Sequence, residues 1–202
     1  GETGMNVIGL DPGSTESSFV ELDEEGDPAT RLSAPNQAIR EQLRIIQLFD
    51  PGRQIVLAVE WMRPRGMPTA QEEIDTCVEL GRMIEAWGGA YEKVSRLQAK
   101  MHVCGRANAT DANVRRGLID LYGGDDRAIG GKRCQRCKGT AVVTRLNTPC
   151  PVCGSTSSPG WRVPPGPLAG IVGDEWSALA IAATARVRLA KAAGVAVTVS
   201  CG

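Results

Sequence analysis

The sequence predicts a mixed α/β domain that carries a cysteine-rich insertion. Short apolar runs typical of strands alternate with segments in which apolar residues recur every three or four positions, as in helices. Two Cys-x-x-Cys pairs fall in one stretch rich in glycine, proline and basic residues. The 202 residues, 42% hydrophobic and 23% charged, suit a domain of ordinary size. No apolar run reaches the ~20 residues that a membrane-spanning helix needs, so we expect no contact with a membrane.

The first quarter of the chain predicts three strands and a helix. We interpret Gly1-Glu2-Thr3-Gly4 as vector-derived, with the native chain starting at Met5. The apolar run over residues 5–10 predicts a buried strand that ends at Asp11-Pro12-Gly13. Residues 17–22 and 29–34 predict two further strands joined by a turn. An amphipathic helix is expected over residues 36–49, before Asp50-Pro51-Gly52.

The remaining elements follow from the same signals. They are a strand over 55–59 leading into Glu60, a helix over 69–87 that includes Ile74 and Val78 among its apolar positions, a strand over Tyr91–Leu97, a helix that starts at Thr110-Asp111 and ends at Gly123-Gly124, a helix over 174–192, and a final edge strand or loose tail over 195–200. This order of strand, hairpin, strand, helix, strand and helix is typical of mixed α/β domains.

The two cysteine pairs predict a structural zinc site. Their members are Cys134, Cys137, Cys150 and Cys153. Two thiolates two residues apart can bind one metal from a tight turn, and two such turns complete the tetrahedron that Zn²⁺ accepts. The alternative is two loose, reduced dithiols. We therefore expect residues 125–167 to be an insertion held by zinc rather than by an apolar core, between the two parts of the main domain, 5–124 and 168–202.

Charge is distributed unevenly although the formal net charge is zero. Residues 1–91 carry 16 acidic and 7 basic side chains, whereas residues 92–145 carry 12 basic and 5 acidic ones. Neutrality argues against a protein that coats nucleic acid by bulk charge. The asymmetry is consistent with metal-binding carboxylates beside a surface that binds a polyanion, or with an unevenly charged solvated surface.

Three acidic residues stand where a metal site could form. Asp11 ends the first buried strand, Glu60 ends another, and Asp174 starts the last helix. If the two strands are adjacent and parallel, their carboxyl ends share one edge of the sheet. Carboxylate oxygens select Mg²⁺ or Mn²⁺, and two such ions ~3.5–4 Å apart can activate a water and stabilise a leaving oxygen, as in many nucleases. For Asp174, a helix cap is the competing interpretation.

Four segments, in order, resemble motifs of the RuvC-type Holliday-junction resolvases, which belong to the ribonuclease H-like superfamily. They are Val7-Ile8-Gly9-Leu10-Asp11-Pro12-Gly13-Ser14, Val56-Leu57-Ala58-Val59-Glu60, Gly105-Arg106-Ala107-Asn108-Ala109-Thr110-Asp111, and the helix start Asp174-Glu175-Trp176-Ser177. The resemblance covers residues 5–124 and 168–190. It implies a ribonuclease H-like mixed five-stranded sheet flanked by helices. It also implies metal-dependent hydrolysis of branched DNA in the cytoplasm, with Asp11, Glu60 and Asp174 as ligands for Mg²⁺ or Mn²⁺.

The sequence departs from the family pattern at two positions. A second aspartate expected on the last helix is replaced by Ser177. Either Glu175 or Ser177 with a water could substitute for it, or three ligands could suffice. A basic residue expected beside the junction-facing segment is replaced by Asp111. The cysteine insertion is absent from the usual bacterial enzyme, so the chain looks more like a phage-encoded form. Such relatives are implied to resolve replicative DNA branches.

Basic residues cluster around the insertion and predict the DNA-binding surface. The candidates are Lys100, Arg106, Arg115, Arg116, Lys132, Arg133, Arg136 and Lys138. The zinc-bound segment either grips a duplex arm or only holds the insertion together. We expect a homodimer, because a two-fold junction needs two symmetric incisions. The alternatives are a relative of the nucleases of RNA-guided transposon systems and a non-catalytic, zinc-dependent binder of DNA junctions.

Overall fold

A mixed five-stranded sheet forms the centre of the fold. The computed structural model describes residues 5–49, 54–62, 70–133 and 161–194. The strands of the sheet are β1 (Asn6–Asp11), β2 (Glu16–Leu22), β3 (Pro28–Pro35), β4 (Ile55–Glu60) and β5 (Tyr91–Val94), in the spatial order β3-β2-β1-β4-β5. The pairs β1–β2 and β2–β3 are antiparallel, and the pairs β1–β4 and β4–β5 are parallel. The predicted α/β class with a mixed five-stranded sheet flanked by helices is confirmed.

Helices cover both faces of this sheet. Those that do so are α1 (Asn36–Phe49), α2 (Gln71–Trp87) and α6 (Glu175–Ala192). The described chain also forms α3 (Arg96–Cys104), α4 (Asp111–Leu121) and a short α5 (Asp125–Ala128). On one face, Ile8, Leu10 and Leu57 pack against buried residues of α1 and α2 such as Leu43 and Met83. On the other face α6 packs against β1 and β2. The core is therefore divided by the sheet, and the last helix of the chain covers the central strand.

Close packing of α6 depends on Gly9 in the middle of β1. A Cβ on Gly9 would collide with the carbonyl oxygen of Ala178 and would lie 2.6 Å from the amide nitrogen of Ala182. The residues of α6 that face Gly9, Ala178 and Ala182, have small side chains and so allow the helix to approach the strand closely. This contact brings the start of α6 towards the edge of the sheet where β1 ends.

The sequence prediction was wrong for the segment after Gly88-Gly89. The predicted strand over Tyr91–Leu97 ends at Val94, and α3, which the apolar pattern did not predict, begins at Arg96. The cause is a capping box: the Ser95 side chain accepts a hydrogen bond from the Gln98 amide, and the Gln98 side chain accepts one from the Ser95 amide. Two capping hydrogen bonds favour a helix start where the short apolar pattern suggested continued extension.

The apolar pattern of α2 was only partly informative. Leu80, Met83 and Trp87 are buried as the periodicity predicts. Ile74 and Val78 are instead 46% and 49% exposed. They lie on the side of the helix opposite to the buried residues, since successive residues are rotated by ~100° in a helix. The helix thus has a second apolar stripe that faces solvent.

The chain divides into two compact units. The described residues up to Gly117 and from Val172 onwards form the first, which contains the sheet, and the described residues from Leu118 to Ile171 form the second. The second includes an antiparallel ribbon of β6 (Gly130–Arg133) and β7 (Trp161–Pro165), in which Arg133 pairs with Trp161. The insertion boundaries predicted at 125 and 167 remain a prediction.

Several sequence predictions fall outside the described residues. They are the zinc ligands Cys134, Cys137, Cys150 and Cys153, the basic residues Arg136 and Lys138, the first four residues, and the terminal strand over 195–200. Within the described part of the chain, no helix is long and apolar enough to cross a membrane.

Candidate active site

The parallel pairing of β1 with β4 brings two carboxylates together. Leu10 pairs with Val59 in this register, so the next residues, Asp11 and Glu60, stand side by side at the carboxyl edge of the sheet. Burial raises the pKa of Asp11 to about 8, and the charge of Glu60, a hydrogen bond between the two carboxyls and the charge of Asp174 act in the same direction. At neutral pH the Asp11 carboxyl therefore favours its protonated form, because its charged form is poorly hydrated and is repelled by nearby negative charge.

A buried polar network fixes the turn that follows Asp11. The Gly13 amide donates to Ser17 Oγ over 3.0 Å, and Ser17 Oγ donates to Asn36 Oδ1 over 2.7 Å. Asn36 Nδ2 in turn donates to the Gly13 carbonyl over 3.0 Å. Sequence analysis missed Ser17 and Asn36. They lie 19 residues apart and no local pattern links them, although an asparagine opening an amphipathic helix is a recognisable feature.

Asp174 precedes α6 without capping it through its side chain. Its backbone carbonyl accepts hydrogen bonds from the amides of Ser177 and Ala178, but its carboxylate makes no capping bond. The carboxylate is exposed, and its charge contributes to the raised pKa of Asp11. Within the described ranges, no three His, Cys, Asp or Glu side chains cluster closely enough to hold a metal ion. Asp11 and Glu60 are thus in contact, and Asp174 is a more distant neighbour.

The two candidates for a fourth ligand lie in different surroundings. Glu175 is buried, accepts a hydrogen bond from the Val172 amide over 3.0 Å, and lies 3.6 Å from Arg31 Nε. Its carboxylate is therefore engaged at the start of α6. Ser177 instead lines a cleft together with Glu60. Of these two positions, Ser177 is the one that lines the same cleft as Glu60.

The cleft beside Glu60 is shallow and open to solvent. Its lining combines acidic, basic and apolar side chains: Glu60, Arg96, Ala99, Lys100, Asp111, Val114, Ser177, Ala180 and Ile181. All of these residues belong to the first compact unit. Lys100, predicted as a DNA-binding residue, therefore lies one helical turn after Arg96 on the wall of the same cleft.

Arg96 is a site residue that sequence analysis missed. Its guanidinium lies 2.8 Å from Asp111 Oδ1 and 3.9 Å from Glu60 Oε1. Burial opposes its charge, but Glu60 and the hydrogen-bonded Asp111 hold the Arg96 pKa above its ordinary value. The sequence did contain a signal, because Ser95 and Gln98 form a capping-box pattern that sets Arg96 at the first position of a helix.

The other predicted DNA-binding residues are dispersed along the described chain. Arg106, Arg115 and Arg116 are exposed on the first unit, and Lys132 and Arg133 are exposed on the second. The Arg115 guanidinium lies 5.1 Å from the ring centre of Trp176, which is buried at the start of α6. Lys132 forms an ion pair with Asp126. A single basic surface made of these residues remains a prediction.

A central mixed sheet of this strand order, with helices on both faces, defines a ribonuclease H-like α/β fold. Within that class the fold is of the RuvC type. The chain aligns with a Thermus thermophilus RuvC structure at a TM-score of 0.56, with 14% identity over 95% of this chain and 98% of that chain. It also aligns with T. thermophilus RuvC in complex with Holliday junction substrate, at a TM-score of 0.52 and 14% identity over 91% and 96% of the two chains. No protein-family model and no curated protein sequence matches the chain.

Proposed function

We propose that the chain is a metal-dependent endonuclease that cleaves Holliday junctions and other branched DNA. The observation that carries this proposal is the pair of contacting carboxyls, Asp11 and Glu60, at the carboxyl edge of a RuvC-type sheet. A partly buried pair of acids destabilises the fold when both carboxyls are charged, since each charge loses hydration and the two repel. Its placement at an open cleft instead favours a catalytic role.

The carboxyl pair fits a hard divalent cation. Its donors are oxygens only, and burial together with the charge of Glu60 raises the pKa of Asp11, so a bound cation would offset the cost of charging this carboxyl. We propose that Asp11, Glu60 and Asp174 hold Mg²⁺ or Mn²⁺. Two such ions, when bound, would supply water activation and stabilisation of the leaving oxygen in phosphodiester hydrolysis. The polar network of Ser17 and Asn36 keeps the Asp11 backbone fixed for this role.

Branched DNA is the proposed substrate. One structure of the same fold is a RuvC in complex with Holliday junction substrate. This chain carries 12 basic side chains between residues 92 and 145, and two of them, Arg96 and Lys100, line the cleft beside Glu60. Recognition of a branch depends on backbone shape and phosphate contacts more than on base edges. The distribution of positive charge supports such contacts around the acidic pair.

Cleavage of a synthetic four-way junction tests the proposal. We expect labelled junctions to be nicked in Mg²⁺ or Mn²⁺ by the wild type, and the rate to fall at least about 100-fold in Asp11→Asn because a ligand charge is lost. Glu92→Gln is a matched control, since Glu92 lies on the neighbouring strand and pairs with Arg188. Wild-type protein that binds junctions without nicking them in either metal would contradict a nuclease role.

A non-catalytic junction binder is the second candidate. The observation that favours it is the arrangement of the described acids, in which Asp174 does not complete a three-ligand cluster with Asp11 and Glu60. The cleavage assay separates the two candidates, because the binder leaves junctions intact and Asp11→Asn then has no effect on product formation.

We also propose that the four cysteines of the insertion hold one structural Zn²⁺ and that the chain acts as a homodimer. Arg133, the last residue of β6, pairs with Trp161 of β7 and directly precedes Cys134. The described residues on either side of the cysteine segment are thus paired with each other, and this pairing supports the proposal that one metal ion holds the four cysteines. The exposed apolar stripe of α2 supports a surface for a second copy.

A further inference from the structure

Arg96 lies between a partly buried carboxylate, that of Glu60, and an exposed one, that of Asp111. Its guanidinium donates to Asp111 Oδ1 over 2.8 Å and lies 3.9 Å from Glu60 Oε1. The Glu60 side chain is only 13% exposed, the Arg96 side chain is 46% exposed, and that of Asp111 is 75% exposed. The short contact is thus made to the acid that is best solvated, and the looser contact is made to the acid of the site.

The backbone fixes the start of α3, and with it Arg96, beside Glu60. Val94 pairs with Glu60 in the β4–β5 register, and the Trp61 amide donates to the Val94 carbonyl over 2.8 Å. Ser95 then caps α3 through its box with Gln98, so Arg96 is the first residue of the helix. Because only Ser95 separates β5 from α3, Arg96 is held close to Glu60, and it lines the same cleft.

Asp111 has no capping role that explains its position. The start of α4 is capped by Thr110 and Asn113: Asn113 Oδ1 accepts from the Thr110 amide and hydroxyl, and the Asn113 amide donates to Thr110 Oγ1. The side chain of Asp111 contacts Arg96 instead. An ion pair this exposed contributes little to folding. Its effect is rather to occupy the Nη2 donor of Arg96.

We propose that Asp111 is a latch that occupies Arg96 until DNA arrives, and that a backbone phosphate replaces Asp111 as the partner of the guanidinium. The ligand class rests on the proposed function. A guanidinium binds phosphate and carboxylate through the same forked geometry, so one partner can replace the other. The exchange occurs on the Asp111 side, because a released Asp111 returns to water, whereas the Glu60 side chain is only 13% exposed.

The exchange serves two purposes in a site rich in acids. Asp11 and Glu60 repel an approaching phosphate, and a cation at the mouth of the cleft offsets that repulsion. The latch also lowers the affinity for any single phosphate, since the Asp111 contact must first break. The chain therefore favours DNA that supplies several phosphate contacts at once, as a branch point does, over isolated anions or short single strands.

Binding of a fluorescent four-way junction tests the latch, with Ca²⁺ in place of Mg²⁺ so that affinity is measured apart from cleavage. Asp111→Asn is expected to tighten binding about 3- to 10-fold. Arg96→Gln is expected to weaken it about 10-fold and to reduce the slope of log K against log salt by about 1. Arg96→Lys, which keeps the charge but loses the fork, is expected to bind with intermediate affinity.

The double variant distinguishes a latch from general repulsion. In the Arg96→Gln background, Asp111→Asn should change affinity no more than Glu41→Gln, which removes an exposed acid from α1. Equal tightening by Asp111→Asn with and without Arg96, or no tightening at all, overturns the proposal, as does an absence of junction binding. Thermal unfolding of each variant checks that the fold is intact. If the protein binds junctions but does not cleave them, the proposed nuclease activity is wrong. The affinity comparison then still decides whether Asp111 competes with DNA for Arg96.

Discussion

At the scale of single residues, the site is defined by one contact that the sequence predicted and several that it did not. Asp11 and Glu60 were predictable because each ends an apolar run, and the ends of adjacent parallel strands meet at one edge. Arg96, Ser17 and Asn36 were not predicted, because each acts through a side-chain contact with a residue at least 15 positions away. The periodicity of apolar residues predicts helices and strands, but it does not predict hydrogen bonds between polar side chains that are distant in the sequence.

The raised pKa of Asp11 predicts an unusual pH dependence of stability in metal-free protein. The Asp11 pKa is about 8 in the folded chain and 3.8 in its ordinary state, so the folded protein binds this proton more tightly than the unfolded chain does. The contribution of this bound proton to the free energy of unfolding is therefore fully present below about pH 4, and it is lost as the pH rises to about 8. At about 1.36 kcal/mol per pKa unit, the loss is on the order of a few kcal/mol.

Urea unfolding in EDTA across this pH range measures the effect. The difference in free energy of unfolding between Asp11→Asn and wild type should grow in favour of the variant as the pH rises, because the amide needs no proton. Added Mg²⁺ should stabilise the wild type most at the upper end of the range. Parallel pH curves for the two proteins would show that Asp11 does not hold the proton.

At the scale of elements, the packing of α6 on β1 sets the position of the third acid. Gly9 permits the approach, and the small side chains of Ala178 and Ala182 complete it. The helix begins at Glu175, directly after Asp174, so any displacement of α6 also moves Asp174 and Ser177 relative to Glu60. The sequence indicated the helix from its composition, but a single glycine within a strand gave no sign of which element would lie against it.

A methyl group at Gly9 should therefore damage both stability and the site. Gly9→Ala is expected to lower the free energy of unfolding by about 1–3 kcal/mol, because the added Cβ meets the backbone of α6 rather than a movable side chain. Gly81→Ala is the matched control: Gly81 lies within α2, and a Cβ there meets nothing within 4 Å. It should raise the free energy of unfolding by about 0.5–1 kcal/mol. Equal effects of both substitutions would show that β1 and α6 are not in close contact.

At the scale of the whole molecule, the charge asymmetry of the sequence corresponds to different parts of the fold. The acidic segment, residues 1–91, contributes β1 and β4 with Asp11 and Glu60, whereas the basic segment, residues 92–145, begins with the strand before α3 and contributes Arg96 and Lys100. The sequence therefore predicted that acidic side chains from the first segment would lie near basic side chains from the second. It did not predict which surface is left for a partner, because the periodicity of α2 gave one apolar face where the structure has two.

The second apolar face of α2 predicts how two copies associate. Ile74, Cys77 and Val78 are exposed on the side away from the core, and a junction with two-fold symmetry requires two sites related by a matching axis. Val78→Arg places a charge in this stripe and should weaken self-association at least about 10-fold in sedimentation equilibrium, since a buried unpaired charge is costly. Leu48→Arg is the matched control, because Leu48 is an apolar residue of α1 that is 75% exposed.

With Val78→Arg, junction cleavage should give predominantly single nicks rather than paired incisions. A wild type that remains monomeric at micromolar concentration with and without junction DNA would contradict the dimer, whereas dissociation by Leu48→Arg alone would move the contact surface to α1.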